Sequence, residues 1–183
     1  MTARLFSLSG AASGPWRVRS IDAVRGATLP AAAALDVRAG SGAPDDALWS
    51  LHGMSSNARY LTREEKTRLL EAQEELGRAG ATHAALIPIR KSAAWWALTQ
   101  DERRAIVETQ LQHIRIGLRY LPAVARRLLH CRDLSETAPF HFLTWFEFAP
   151  DDEPAFDALL VQLRASPEWR YVEREVDIRL TRA

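Results

Sequence analysis

From residue 81 to the C-terminus the hydrophobic period changes in a set order, and that order restricts the fold more than any other feature of this 183-residue chain. Residues 81–89 form a short apolar run closed by Arg90 and Lys91, which reads as a buried strand. Thr99 with Glu102 makes a capping box. It opens a helix whose stripe is Ile106, Val107, Leu111, Ile114 and Leu118, expected to run to about Tyr120 and to stop at Pro122. Two strands are predicted at about 122–132 and 140–149, with a polar turn between them. A helix over about 153–165 carries Phe156, Leu159, Leu160 and Leu163, and a last strand over about 170–180 carries Val172, Val176, Ile178 and Leu180. Strand, helix, strand, strand, helix, strand is the split βαβ, or ferredoxin-like, pattern.

The first 80 residues look like part of a second such module. Residues 1–50 are rich in Ala, Gly, Ser and Pro, with rough period-two alternation at Trp16, Val18 and Ile21 and turns near 29–30 and 40–44. Residues 47–60 suit a strand with a kink at Gly53. A capping box of Thr62 and Glu65 then opens a helix with Leu69, Leu70, Gln73 and Leu76 on one side, ended by Gly77 and Gly80. The expectation is an α+β fold with modules over 1–80 and 81–183, their sheets facing each other as a barrel with a cavity.

Charge and motif content exclude several functions. Formal net charge is +1 with acids and bases interspersed, so no basic block suggests nucleic acid or an anionic membrane. No run approaches the ~20 apolar residues that span a bilayer, and the N-terminal residues do not read as a signal peptide. A cytoplasmic setting is the resulting expectation. Cys131 is the only cysteine, which rules out an internal disulfide and a thiolate cluster. A nucleophile elbow, a Walker loop, a dinucleotide fingerprint and a zinc-protease motif are all lacking.

Two residues stand out. Of the histidines, His52 has no evident partner, while His83, His130 and His141 lie in or beside predicted strands and suit structural or surface roles. His113 falls on the apolar side of the helix, one turn before Gly117, whose cost of about 1 kcal/mol against Ala has one use in the close approach of a flat ligand. The plainer reading is a core histidine with a hydrogen-bond partner. Arg126 and Arg127 adjoin in an apolar segment, so on a strand one of them faces inward, where it needs an anion. A salt bridge within the core would also serve. In one straight helix His113 and Arg126 would stand about 20 Å apart; a break at Pro122 lets them face one another.

The segment HIRIGLRYLPAVARRLLHCRD from His113 resembles the haem-binding region of chlorite dismutases, as do FLTWFEF at 142–148, IPIRKSAAWW ending at Trp96 and YVEREVDIRL at 171–180. The resemblance covers about 47–183 and looks like the short, dimeric branch of the family. It implies ferredoxin-like modules in a dimeric α+β barrel, with a reduced N-terminal module. It implies haem b, with His113 as the iron ligand, Glu168 accepting a hydrogen bond from that histidine, Lys91 and Trp95 holding the propionates and haem edge, and Tyr60 near the propionates. Arg126 matches a distal arginine, and Thr144 and Phe146 match lining residues of the distal pocket. The implied reaction is chlorite to chloride and dioxygen through a ferryl intermediate, in a homodimer that binds neither nucleic acid nor membrane. The alternatives are a coprohaem decarboxylase-like enzyme, whose relatives carry a neutral side chain where Arg126 stands, and a haem-handling protein without turnover.

Overall fold

The computed structural model describes residues 4–56, 62–72, 75–109, 116–117, 119–120 and 122–183, apart from the side chains of 70, 108 and 109. The expected roles of Tyr60 and His113 fall outside the described residues.

Eight antiparallel strands close a barrel: β1 (Leu5–Ala11), β2 (Trp16–Arg25), β3 (Ala34–Ala39), β4 (Trp49–Ser55), β5 (His83–Lys91), β6 (Ala125–His130), β7 (Phe142–Phe148) and β8 (Val172–Arg182). Around the barrel their order is β1-β3-β2-β8-β5-β7-β6-β4. Side chains alternate across each strand, and the two faces part company. The inward set is one apolar core to which every strand contributes, with Leu8, Trp16, Leu35, Leu51, Leu86, Leu129, Trp145, Ile178 and Leu180 at its centre. On β5 and β7 the outward set is also apolar and packs against the helix α4 (Glu153–Arg164) through Phe156, Leu159, Leu160 and Leu163. On the same side, Arg164 of α4 pairs with the buried Glu175 (2.8 Å) and Asp177 (3.0 Å) of β8.

Among the described residues before β6 are three short α-helices. Helix α1 (Arg63–Ala72) has its capping box in place: the Thr62 amide donates to Glu65 Oε2 (2.5 Å) and the Glu65 amide to Thr62 Oγ1 (3.2 Å). Residues 75–80 form turns, with Gly77 at a φ of 87° that a side chain would oppose. Helix α2 (Ala93–Ala97) starts at Ser92, whose hydroxyl accepts from the Trp95 amide. Helix α3 (Gln100–Arg104) begins where Thr99 and Glu102 predicted, the Thr99 amide donating to Glu102 Oε2 at 2.7 Å. Ala105–Thr109 then widens into a π-helical turn, and residues 116–117 and 119 are helical, while 110–115 and 118 of the expected helix lie outside the described residues.

Gly53 is a correction. It does not kink β4, which pairs with β1 in unbroken register from Leu5↔Met54 to Gly10↔Trp49. Its missing side chain instead admits β6: a Cβ at Gly53 would lie 2.7 Å from Leu129 Cβ, closer than packed atoms come. The glycine is needed where β6 crosses to β4, whose pairing is confined to Met54↔His130 and Ser55↔Leu129. Among the described residues, no helix is long and apolar enough to cross a membrane.

Candidate active site

The outward face of β5, β6 and β7 forms one wall of a cleft lined by Ile87, Ile89, Lys91, Arg126, Leu128, Phe142, Thr144 and Phe146, while Leu160, Leu163 and Trp169 close it from the other side. About 570 Å³ is empty there, counting space open to solvent. Period-two geometry produces this wall. Arg126, Leu128 and His130 stand opposite Phe146, Thr144 and Phe142 in the β6–β7 register, so all six point outward. The expected site residues Lys91, Arg126, Thr144 and Phe146 therefore share one surface. Sequence reasoning passed over Ile87, Ile89, Leu128, Phe142 and Trp169. Strand parity extended from Lys91, Arg126 and Thr144 would have found all but the last.

The wall carries two positive groups in an apolar setting. Lys91 is buried (3% exposed), and its Nζ donates to Glu168 Oε1 at 2.5 Å. Expected to serve a propionate and a histidine separately, these two side chains are joined to each other. The ammonium also lies 4.6 Å from the Trp95 ring centroid and 5.4 Å from that of Trp169, where the ring faces favour a cation. Removing one partner of such a buried pair strands the other charge.

Arg126 is the second positive group. Its guanidinium reaches across to the segment that follows residue 115: a Cβ at Gly117 would sit 3.6 Å from Arg126 Nη1. That is ordinary contact, so Arg126 does not itself demand a glycine there. It does place a fixed planar cation, two strand positions from Leu128, over an otherwise apolar surface. An arginine stays charged at any pH of interest and presents its donors as a rigid fork, a geometry suited to a small oxyanion.

Trp95 and Trp96 follow directly from β5 on the short helix α2, which Arg103 braces by donating to the Trp95 and Trp96 carbonyls (3.1 and 2.8 Å). Trp95 is fully buried, tilts against Tyr171 at 5.5 Å, and its indole N–H has no partner among the described residues. Trp96 turns the other way and stacks on Phe142, a residue of the cleft wall (centroids 6.0 Å, planes 10° apart). Its indole N–H donates to His141 Nδ1 at 3.0 Å, and the Lys91 amide donates to the same nitrogen at 3.1 Å. His141 is therefore neutral at that nitrogen. Burial, then Arg90, Arg132 and His130, push its pKa down to about 4. Cys131 is buried, and burial followed by the charge of Asp133 raises its thiol to about 12, so it is no thiolate nucleophile.

The surface suits a large flat apolar group with an anionic edge. Its walls are aliphatic and aromatic, and its positive charge is confined to Arg126 and the Lys91–Glu168 pair, while Trp95, expected at the site, is buried behind Lys91 and does not line the cleft.

The sequence model of the family described as Chlorite dismutase matches residues 37–183. A chlorite dismutase of Ideonella dechloratans is 32% identical over 133 residues, 69% of this chain and 42% of that protein, so the chain spans less than half of that relative's length. The crystal structure of dimeric chlorite dismutases from Nitrobacter winogradskyi is 52% identical and aligns over 97% of this chain and 99% of that one, with a TM-score of 0.89. The structure of chlorite dismutase from Candidatus Nitrospira defluvii in complex with imidazole is 29% identical over 75% of this chain and 56% of that one, with a TM-score of 0.59. On the family match and the likeness in sequence together, this chain belongs to the chlorite dismutase family.

Proposed function

We propose that this chain converts chlorite to chloride and dioxygen on a haem b held in the outer cleft of the C-terminal half, and that it works as a homodimer. The observation that carries the reading is the apolar wall with Arg126 set in it. Chlorite is a small anion whose reacting oxygen must reach iron in a place poor in water. A guanidinium on an apolar wall holds such an anion without offering a proton, and desolvation strengthens the attraction.

The remaining roles are those that the family resemblance implies, and for Lys91, Glu168, Thr144 and Phe146 their placement supports it. His113 would hold the iron, and Glu168, paired with Lys91, would accept a hydrogen bond from the second ring nitrogen. That bond makes the imidazole a stronger donor to the metal. Trp95 and Tyr60 would serve the propionate edge. Thr144 and Phe146 line the side on which chlorite enters. Haem, when bound, would supply a redox-active iron able to accept an oxygen atom from chlorite. Arg126 holds the chlorine-containing fragment so that it reacts onward instead of escaping to oxidise Trp and Met side chains. The strand order β8-β5-β7-β6, with α4 over its outer face, supports reading 81–183 as a ferredoxin-like module and 1–80 as a reduced one. The dimeric state is that named for the Nitrobacter winogradskyi structure.

The test is to titrate haem into the purified chain and then add chlorite in an oxygen electrode. The expected result is one Soret-absorbing haem per chain and rapid oxygen release, with haem affinity lost in His113→Ala. Tight haem binding with no oxygen release would favour a haem-handling role instead.

A further inference from the structure

The adjacent arginines of β6 face opposite sides of the barrel wall, and the cleft uses only one of them. Arg127 pairs in register with Trp145 on the inward face. It lines a second cavity, at one mouth of the barrel, together with Pro15, Trp16, Val37, Leu76, Gly77, Trp145, Glu147 and Arg182. About 770 Å³ is empty there, counting space open to solvent. Trp16 and Trp145 meet edge to face at 5.3 Å and form the apolar floor. The guanidinium of Arg127 lies 4.1 Å from the Phe6 ring centroid, and that of Arg182 lies 5.0 Å from the Trp16 centroid.

The carboxylate in this mouth is already engaged. Glu147 Oε1 accepts from the Trp145 indole (2.9 Å) and Oε2 from the Gly77 amide (2.6 Å), with Arg182 at 3.9 Å. Among the described residues, Arg127 makes no ion pair and donates no hydrogen bond. A half-buried guanidinium that is partly desolvated and held by no side-chain ion pair is well placed to meet an anion. Consistently, burial lowers the pKa of Arg127 more than Glu147 raises it.

The geometry points to a second binding site, independent of the haem cleft, for a small aromatic monocarboxylate at the barrel mouth. Arg127 would take the carboxylate through its planar fork, Arg182 would close over it from the rim, and the ring would lie on Trp16 and Trp145. A single negative charge fits better than a phosphate dianion because Glu147 stands in the same mouth and repels added charge.

Calorimetric titration of the haem-loaded protein with benzoate, and with neutral benzamide, tests this while the Soret band is recorded. Benzoate should bind at one site per chain without moving the Soret band, and benzamide should bind at least about tenfold more weakly. Arg127→Gln should weaken benzoate by about tenfold or more, and Arg182→Gln, at the exposed rim, by about threefold. Arg126→Ala should leave the benzoate affinity unchanged. Should Arg127→Gln fail to fold, Arg182→Gln and the benzamide comparison still decide. No saturable binding at millimolar benzoate, equal binding of benzamide, or full affinity in both variants overturns the proposal. So does a loss in Arg126→Ala with a Soret shift, which would place the anion in the haem cleft.

Discussion

The two halves of the barrel share one inner core but differ on their outer faces. Outside β1, β3 and β4 lies a small polar row: Ser7 beside Arg38 and His52, and Ser9 beside Asp36 and Ser50. Its members satisfy each other, with Ser7 and His52 at 2.9 Å, Ser9 and Ser50 at 2.8 Å, and Arg38 and Asp36 at 2.6 Å. The Ser7 hydroxyl gives its proton to the Gly40 carbonyl, so it accepts from His52 Nδ1. Outside β5, β6 and β7 the equivalent positions are mostly Ile, Leu and Phe, with Thr144 and the two cations Lys91 and Arg126, and α4 stands over them. The contrast teaches that the inward residues of both halves build the barrel, while the outward residues decide which half can hold a ligand. Small polar side chains close a sheet face by bonding to one another. Large apolar ones need a cover, and the space between wall and cover becomes the cleft.

Substitutions can break or sharpen this contrast. The largest loss is expected from Lys91→Ala, which removes the ion partner of the buried Glu168 carboxylate and should cost about 3–5 kcal/mol, read as a fall in the urea midpoint. Next is the pH response of His141. Its folded pKa of about 4 lies below the 6.5 of an unperturbed histidine. The unfolded chain therefore binds the extra proton, so this contribution is complete above pH 6.5 and is lost as pH falls toward 4. It amounts to at most about 3 kcal/mol. His141→Gln, which keeps an acceptor for the Trp96 indole, should flatten the fall in stability between pH 6.5 and 4.5 in urea melts at stepped pH. On the polar side, Ser9→Ala removes one bond from a row of small groups and should cost only about 0.5–1.5 kcal/mol in the same melts. A Ser9→Ala loss as large as that of Lys91→Ala would erase the distinction between the faces.

What could be read in advance was what depends on neighbours in the chain. Capping boxes mark the starts of α1 and α3, apolar runs and alternation mark β5 through β8 to within three residues, and parity separates Arg126 from Arg127. The remainder arises between distant segments. Lys91 and Glu168 meet across 77 positions, and Trp96 and His141 across 45, so neither pair leaves a local pattern. Gly53 suggested a bend because a glycine inside a strand has several uses, and only the passage of Leu129 beside it shows which one applies. The π-helical turn at Ala105–Thr109 was hidden because its residues carry an ordinary helical stripe. The order β1-β3-β2 of the N-terminal strands had no counterpart in their weak alternation.

The central claim is that chlorite reacts at the outer cleft, against Arg126 and not against its neighbour. The direct measurement is oxygen release from chlorite by haem-loaded wild type, Arg126→Ala and Arg127→Gln, at matched haem content. The account predicts release by wild type, a fall of at least about tenfold with faster haem bleaching in Arg126→Ala, and a rate within about twofold of wild type in Arg127→Gln. Equal rates for wild type and Arg126→Ala, or loss of activity in Arg127→Gln alone, would contradict it.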